Sequence, residues 1–414
     1  MPLFIGIHEA DTTESLLRVE TLEDVLEVKT SQQPDFDSFS RALCTDGSAP
    51  IIDGGFEQGI LVICQKEWAA CSPGTIAWIG SEDATTCHIL ALREPISGAT
   101  ALTHFDDPEN VQSCLLAMFQ RLDELSNCLL REVGKKKHFQ HGGGSSSAPV
   151  LPASKASGGV GRTLEAYVVG GYDDGSYHMP AGSGVTRIQK EKSDKQQEEE
   201  ERMPGQMAQA LGLAIISALA GLPTTVYLRL AAIGPLNTKL GNREEQEDGS
   251  GGGTPLPCHR GLAVSPATGE CRPAAFARAT ATTGRGALEC GGAGDGGLRS
   301  GAHEDAVVPL RALRACRVWA DRTADPRDLE VWDDAAGALV VAPIAYRYNS
   351  WFPRLLALPD AALLQLCSTS PAAEGPRFPA DLRAALGFMR ARPDWRGVFP
   401  GGAALVVAAR RRGR

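Results

Sequence analysis

The chain has 414 residues and a formal net charge of −9 at pH 7, with 41 basic and 50 acidic side chains. Such an acidic chain is not drawn to phosphate backbones or anionic lipid, so neither nucleic acid nor a membrane is expected as a partner. The longest apolar run, at 211–222, is shorter than the roughly 20 residues that a membrane-spanning helix needs. The acidic N-terminus lacks the cations of a secretory signal, which favours the cytosol; basic residues at 410–414 make the nucleus the alternative.

Composition indicates a folded protein with interruptions. Hydrophobic residues make up 43% of the chain, which suffices for a core. The 11 cysteines form no CxxC pair, so the sequence predicts neither a disulfide framework nor a zinc site. The 46 glycines and 26 prolines concentrate in segments without periodic apolar residues, which we interpret as disordered insertions. These segments cover about 134–162, 189–202, 242–253 and 279–301.

The predicted elements begin after an irregular, acidic lead over residues 1–58. A meander of short β-strands follows, at 60–64, 67–71, 75–79, 86–93 and 99–104. Apolar residues then recur every three or four positions from 111 to 133, which predicts a helix with Asp107 as N-cap and Pro108 at its first position. Later elements are strands at 163–171 and 224–231, a helix at 206–221, and further pieces at 328–331, 338–341, 379–390 and 403–408. The pattern predicts a mixed α+β fold, in which one domain over residues 59–414 has mainly antiparallel strands covered by helices.

The segment GSEDATTCHILALR at 80–93, followed by GATALTHF at 98–105, places a cysteine and a histidine on neighbouring strands. If these strands pair symmetrically around the intervening turn, Cys87 lies directly opposite His104 on one face of the sheet. A slip of one residue would put His104 on the other face, so the pairing depends on the register. His88 is a weaker candidate because adjacent residues of a strand point to opposite faces.

A thiol beside an imidazole is typical of a cysteine nucleophile. An imidazolium stabilises the thiolate, and the same ring can later protonate a leaving group. The Ser81 hydroxyl is placed to accept the other ring N–H and fix the tautomer, and the loop at 82–86 offers backbone N–H groups for an oxyanion. From the residues alone, the alternative stays open that Cys87 is a buried structural cysteine and His104 a structural histidine.

The segment around Cys87 resembles the signature of the eukaryotic protein N-terminal asparagine amidohydrolases. Further matching motifs are the initial MPL, EWAACSP at 67–73, VVGGYDD at 168–174, NREE at 242–245, YNSW at 348–351, STSP at 368–371 and PRF at 376–378. This resemblance implies that Cys87 is the nucleophile. A more distant similarity to the bacterial chemoreceptor glutamine deamidases, carried by Cys87, His104, Ser81 and the glycines at 170–171, implies that His104 is the base and Ser81 its partner.

The resemblance implies an activity, namely deamidation of an N-terminal asparagine to aspartate with release of ammonia. The implied partners are proteins with an exposed N-terminal asparagine and, downstream, the arginylation and ubiquitin-ligase machinery. The mechanism needs no metal or organic cofactor. The substrate α-ammonium calls for a carboxylate near Cys87, and the candidates by position are Asp83, which we prefer, Glu82, Asp106 and Asp173. Two alternatives remain: a deamidase of internal glutamine side chains, and a non-catalytic interaction protein that uses its insertions to bind partners.

Overall fold

A computed structural model describes residues 3–5, 17–19, 51–52, 59–140, 162–174, 204–241, 253–276, 310–320 and 328–408. The strands are β1 (Leu3–Ile5), β2 (Leu17–Val19), β3 (Ile51–Ile52), β4 (Ile60–Val62), β5 (Glu67–Cys71), β6 (Trp78–Ser81), β7 (His88–Arg93), β8 (Thr100–Phe105), β9 (Thr163–Gly170), β10 (Thr225–Ile233), β11 (Thr238–Leu240), β12 (Pro255–Pro257), β13 (Leu262–Val264), β14 (Cys271–Pro273), β15 (Ala275–Phe276), β16 (Leu329–Glu330), β17 (Trp332–Asp333), β18 (Ala338–Val341) and β19 (Leu405–Ala408). The α-helices are α1 (Val111–Gln140), α2 (Pro204–Ala220), α3 (Leu310–Ala315), α4 (Phe352–Leu356), α5 (Asp360–Cys367) and α6 (Phe378–Ala391). The mixed α+β class predicted from the sequence is confirmed.

The main sheet has eight strands in the order β16-β5-β8-β7-β9-β10-β1-β2. Strands β5, β8, β7 and β9 pair antiparallel, whereas β9, β10 and β1 pair parallel. Strands β1 and β2 come from the N-terminal lead and extend one edge of the sheet. In the β7–β8 pair, Ile89 lies opposite His104, so the predicted register with Cys87 opposite His104 is wrong by two residues. Because the error is even, Cys87 and His104 stay on the same face.

Side-chain alternation sends the two faces of the main sheet to two different layers. On β7, Leu90 and Leu92 pack with buried residues of α1 and α2. The intervening Ile89 and Ala91 pack with a second sheet of order β14-β13-β6-β4 and with helices of the C-terminal region. This period of two is the pattern expected for a strand that is buried on both faces. Cys87 packs against the second of these cores, so the candidate nucleophile lies between the two sheets.

Several predicted elements differ from the structure at their ends. The predicted cap is confirmed, because the Asp107 carboxylate accepts the Glu109 N–H at the start of a 3₁₀ turn that leads into α1. Helix α1 continues to Gln140, through residues assigned to the first insertion, and the rest of that tract lies outside the described residues. The other predicted insertions lie almost entirely outside them as well. Among the described residues, no helix combines the length and apolarity that a bilayer crossing requires.

Candidate active site

Two glycines at the end of β9 fix the backbone of Cys87. The Gly171 N–H donates to the Cys87 carbonyl at 3.0 Å. Gly170 has a φ of 133°, and a Cβ built on it would lie 2.2 Å from the same carbonyl oxygen. Only glycine fits so close an approach in this region of backbone conformation. Cys87 is half-buried and packs against the core between the two sheets.

The buried pair of Ser81 and His104 defines the tautomer of the imidazole. The Ser81 Oγ donates to the carbonyl of Ile63 at 2.6 Å and lies 2.8 Å from His104 Nδ1. A hydroxyl carries one proton, so the proton in the second bond must come from the ring, and Nδ1 carries it. Burial lowers the pKa of His104 to about 4, which keeps the ring neutral at pH 7. Nε2 is therefore the unprotonated nitrogen, as a general base requires.

The Cys87 sulfur is a thiol at neutral pH. Burial raises its pKa most, and the carboxylates of Asp106 and Glu374 raise it further. The imidazole of His104 is neutral, so it supplies no positive charge to offset these effects. The resting thiolate expected from the sequence is therefore not formed, and the proton has to leave the sulfur during the reaction.

His88 lies on the opposite face of the main sheet, as predicted. Its ring packs beneath Gly171, where a Cβ would lie 2.6 Å from the Cε1 atom of His88 and 3.4 Å from the side chain of Ala208 on α2. Burial lowers the pKa of His88 to about 3, so this ring is also neutral. Because it faces the helical layer, His88 is not positioned to take a proton from Cys87.

Gln65, in the turn between β4 and β5, contacts the candidate nucleophile. Its Nε2 atom lies 3.7 Å from Cys87 Sγ and donates to Asp106 Oδ2 at 2.9 Å. The ammonium of Lys66 lies 3.7 Å from the same carboxylate oxygen. Sequence reasoning missed Gln65 because a polar residue in a turn is ordinary and carries no signal of its own.

The acidic candidates for substrate binding lie in different surroundings. The buried Glu82 carboxylate accepts the Phe276 N–H at 2.7 Å, pairs with Arg377 at 2.8 Å and also pairs with Arg311. Burial alone would raise the pKa of Glu82, but these partners hold it below its ordinary value. Its charge is thus already neutralised within the protein.

The remaining candidates differ in exposure and in distance from the sulfur. The Asp83 side chain is 42% exposed, has a φ of 63° and lies 3.8 Å from the Arg311 guanidinium. Asp173 is half-buried, and its backbone N–H donates to Thr238 Oγ1 at 2.8 Å. Of the four predicted carboxylates, Asp106 alone binds the amide that also contacts Cys87 Sγ.

A C-terminal segment at 368–375, between α5 and α6, lies against the loop that precedes Cys87. Thr369 Oγ1 is 3.4 Å from Thr86 Oγ1. Arg260 bridges the two segments, since its carbonyl accepts the Ala84 N–H at 2.9 Å and its guanidinium donates to the Ala373 carbonyl at 2.8 Å. We call residues 368–375 the covering loop.

The covering loop carries a carboxylate that sequence reasoning missed. Glu374 accepts a hydrogen bond from Ser368 Oγ at 2.6 Å. Burial raises its pKa, and Asp83 nearby adds to this effect. Its negative charge is one of the causes of the raised pKa of Cys87. The available signal was its position between two matching motifs, STSP at 368–371 and PRF at 376–378.

Neither the cysteine nor the histidines belong to a recognisable metal centre. Among the described residues, no group of three or more His, Cys, Asp or Glu side chains is arranged to hold a metal ion. The site consists instead of a thiol, a neutral imidazole and amide or hydroxyl donors.

Comparison with known proteins identifies proteins that this chain resembles. A family model described as Protein N-terminal asparagine amidohydrolase matches residues 55–132 and 300–414. A protein of that name from Arabidopsis thaliana is 25% identical over 82% of this chain and 75% of its own length. Those from Sus scrofa and Mus musculus are each 26% identical over 84% of this chain, and the matches cover 80% and 81% of their own lengths. These matches confirm the resemblance seen in the motifs: the chain is similar to the protein N-terminal asparagine amidohydrolases, which are enzymes.

Proposed function

We propose that this protein hydrolyses the side-chain amide of an N-terminal asparagine, giving aspartate and ammonia. The observation that carries the proposal is the Ser81–His104 hydrogen bond at 2.8 Å, which holds a neutral imidazole ready to accept a proton on the face of the sheet that carries Cys87. The names of the relatives state N-terminal asparagine as the residue on which those proteins act.

In the first half of the reaction, His104 Nε2 takes the Cys87 thiol proton while the sulfur attacks the carboxamide carbon. The imidazolium then returns that proton to the departing nitrogen, so ammonia leaves and a thioester remains. In the second half, Nε2 takes a proton from water as the water attacks the thioester. The imidazolium returns this proton to the sulfur, which leaves as a thiol, and the aspartic acid side chain that is formed loses its remaining proton to solvent.

The pKa values of the resting pair require attack and proton transfer to be coupled. Burial with nearby carboxylates raises the pKa of Cys87, while burial lowers the pKa of His104 to about 4. An ion pair of thiolate and imidazolium is therefore unfavourable before substrate binds. General-base catalysis removes the need for that ion pair, because the proton moves only as the new bond forms.

Glu374 of the covering loop is our candidate for reading the substrate α-ammonium. Glu82 is neutralised by two arginines, and Asp106 is held by Gln65 and Lys66. Glu374, in contrast, has a raised pKa, so a bound cation would stabilise its charged form. Asp83, predicted from the sequence, lies against the same loop, since its Oδ1 is 3.7 Å from a Cβ built on Gly375.

The activity is tested with peptides that differ only at their N-terminus. Peptides beginning with Asn, Gln or N-acetyl-Asn, and one with an internal Gln, are followed by ammonia release and by the mass change from amide to acid. We expect conversion of the Asn peptide alone, loss of conversion in Cys87→Ala, and a loss of orders of magnitude in His104→Ala. Cys128→Ala removes an exposed cysteine of α1 and is the matched control.

Each outcome separates the proposal from its alternatives. Preferred conversion of internal or N-terminal glutamine would make the protein a glutamine deamidase. No conversion by the wild type, with Cys87 unreactive toward alkylating agents, would favour a non-catalytic interaction protein. Full activity in Cys87→Ala would remove the mechanism.

The pathway role follows from the same proposal. An N-terminal aspartate would pass to arginylation and ubiquitin-dependent degradation, and we expect the enzyme in the cytosol, with the nucleus as the alternative. A reporter protein that begins with Asn should then be degraded more slowly in cells lacking this protein, while a reporter that begins with Asp should be unaffected. Equal lifetimes of the Asn reporter with and without the protein would contradict this role.

A further inference from the structure

Gln65 is a polar residue at the nucleophile to which the mechanism assigns no role so far. Its side-chain nitrogen lies 3.7 Å from Cys87 Sγ, in the half-buried region at the end of β4. A side-chain amide nitrogen carries two N–H groups. One of these N–H groups donates to Asp106 Oδ2 at 2.9 Å. The second N–H is left to donate on the side of Cys87 Sγ.

The orientation of this amide is determined by its neighbour. The two ends of a glutamine amide are assigned from their hydrogen-bond partners, and a carboxylate accepts but does not donate. Asp106 therefore selects the NH₂ end of Gln65, and the ammonium of Lys66 lies 3.7 Å from the same carboxylate oxygen. The amide nitrogen is thus held near the sulfur, and a flipped amide would bring two oxygen acceptors together.

We propose that Gln65 is a further catalytic residue, whose Nε2–H donates to the substrate carboxamide oxygen as it becomes an oxyanion; this rests on the proposed function. When Sγ bonds to the carboxamide carbon, the oxygen on that carbon lies one bond further from the sulfur. A donor 3.7 Å from the sulfur is then within hydrogen-bond reach of that oxygen. The developing charge is stabilised by a donor that is already in place.

The loop before Cys87, which the sequence suggested as a source of oxyanion donors, is partly committed elsewhere. The Ala84 N–H donates to the Arg260 carbonyl at 2.9 Å. The side chain of Glu82 in the same loop accepts hydrogen bonds and offers no donor to an oxyanion. Gln65 supplies a neutral donor and brings no charge of its own to the site.

The test compares Gln65→Ala with Gln120→Ala, the same substitution at an exposed position of α1. Loss of one oxyanion donor should lower kcat for the Asn peptide by roughly 10²–10³-fold with KM little changed. Gln65→Glu keeps the shape of the side chain but replaces the donor by a carboxylate beside Asp106, so its loss should be at least as large. Melting temperatures of all variants establish that they are folded.

Two further probes separate oxyanion stabilisation from an effect on the sulfur. Iodoacetamide alkylates a thiol without forming an oxyanion, so Cys87 should react at nearly the same rate in the wild type and in Gln65→Ala. A peptide whose N-terminal residue carries an aldehyde in place of the carboxamide forms a thiohemiacetal with Cys87. Gln65→Ala should bind this peptide more weakly, by a factor similar to its loss in kcat/KM.

The outcomes distinguish this inference from the proposed function. Equal losses in alkylation and in turnover would assign Gln65 to the sulfur rather than to the oxyanion. A kcat for Gln65→Ala within about threefold of the Gln120→Ala value would overturn the inference while leaving the deamidation intact. A wild type that releases no ammonia from the Asn peptide would remove the proposed function. In that case the aldehyde peptide still tests the inference, because equal binding to the wild type and to Gln65→Ala would refute it.

Discussion

Replacing Ser81 by alanine tests the central hydrogen bond of the site. The hydroxyl donates to the Ile63 carbonyl and accepts from His104 Nδ1, so its removal leaves a buried N–H without an acceptor. Such a group costs about 1–3 kcal/mol, and because 1.4 kcal/mol corresponds to a factor of ten, kcat should fall by roughly 5- to 140-fold. The ring can escape the penalty by moving its proton to Nε2, but that tautomer cannot accept the thiol proton.

The assay measures kcat and KM for the Asn peptide together with the tautomer of His104. Nitrogen-15 chemical shifts should identify Nε2 as the unprotonated nitrogen in the wild type, and that signal should weaken in Ser81→Ala. Ser113→Ala is the control, because the Ser113 hydroxyl only donates to the Asn110 carbonyl on α1. An unchanged kcat, or a wild-type ring protonated on Nε2, would refute the reasoning.

Three other predictions concern reactivity and stability. Alkylation of Cys87 in the enzyme without substrate should accelerate steadily from about pH 6 to pH 9, because its raised pKa leaves a thiolate fraction that grows with pH; a plateau near pH 7 would indicate a resting thiolate. Gly171→Ala should lower the melting temperature, because φ is 59° there and the new Cβ would meet the His88 ring at 2.6 Å; an unchanged value would contradict this contact. Glu67→Ala should lower the free energy of unfolding in urea by about 3–5 kcal/mol, because it removes the carboxylate that pairs with the buried guanidinium of Arg314. A loss below about 1 kcal/mol would show that water solvates Arg314 in the variant.

The sequence predicted the faces of the strands better than their register. Period-two alternation predicts Cys87 and His104 on one face, and Cys87 packs against the core that contains Ile89, the partner of His104. The register differs because the turn is centred one residue later than assumed. The Glu94 carboxylate accepts the N–H groups of Ile96 and Ser97 at 3.1 and 2.6 Å, and Gly98 closes the turn with a φ of 75°. Such a local side-chain cap moves the partner of every residue without changing the apolar pattern.

Contacts between distant segments explain what the sequence could not provide. The carboxylate of Glu82 is bound by Arg311 and Arg377, which lie more than 200 positions later in the chain. The position of Glu82 shortly before Cys87 in the sequence therefore could not predict these two ion pairs. Glu374 reaches the site through the covering loop, which follows α5. A single sequence records local periodicity, but it does not record which loops meet in space.

Glu374 is proposed to bind the substrate α-ammonium and to raise the pKa of Cys87, so its removal should change turnover and alkylation in opposite directions. Its negative charge raises the pKa of Cys87 before substrate binds, and a bound α-ammonium would offset that charge and favour loss of the thiol proton. In Glu374→Gln, Cys87 should therefore be alkylated faster than in the wild type at pH 7, while kcat/KM for the Asn peptide falls. Glu270→Gln, at an exposed position, is the control. If alkylation and turnover of Glu374→Gln fell together, the carboxylate would instead support the loop structure, and recognition of the substrate would pass to Asp83.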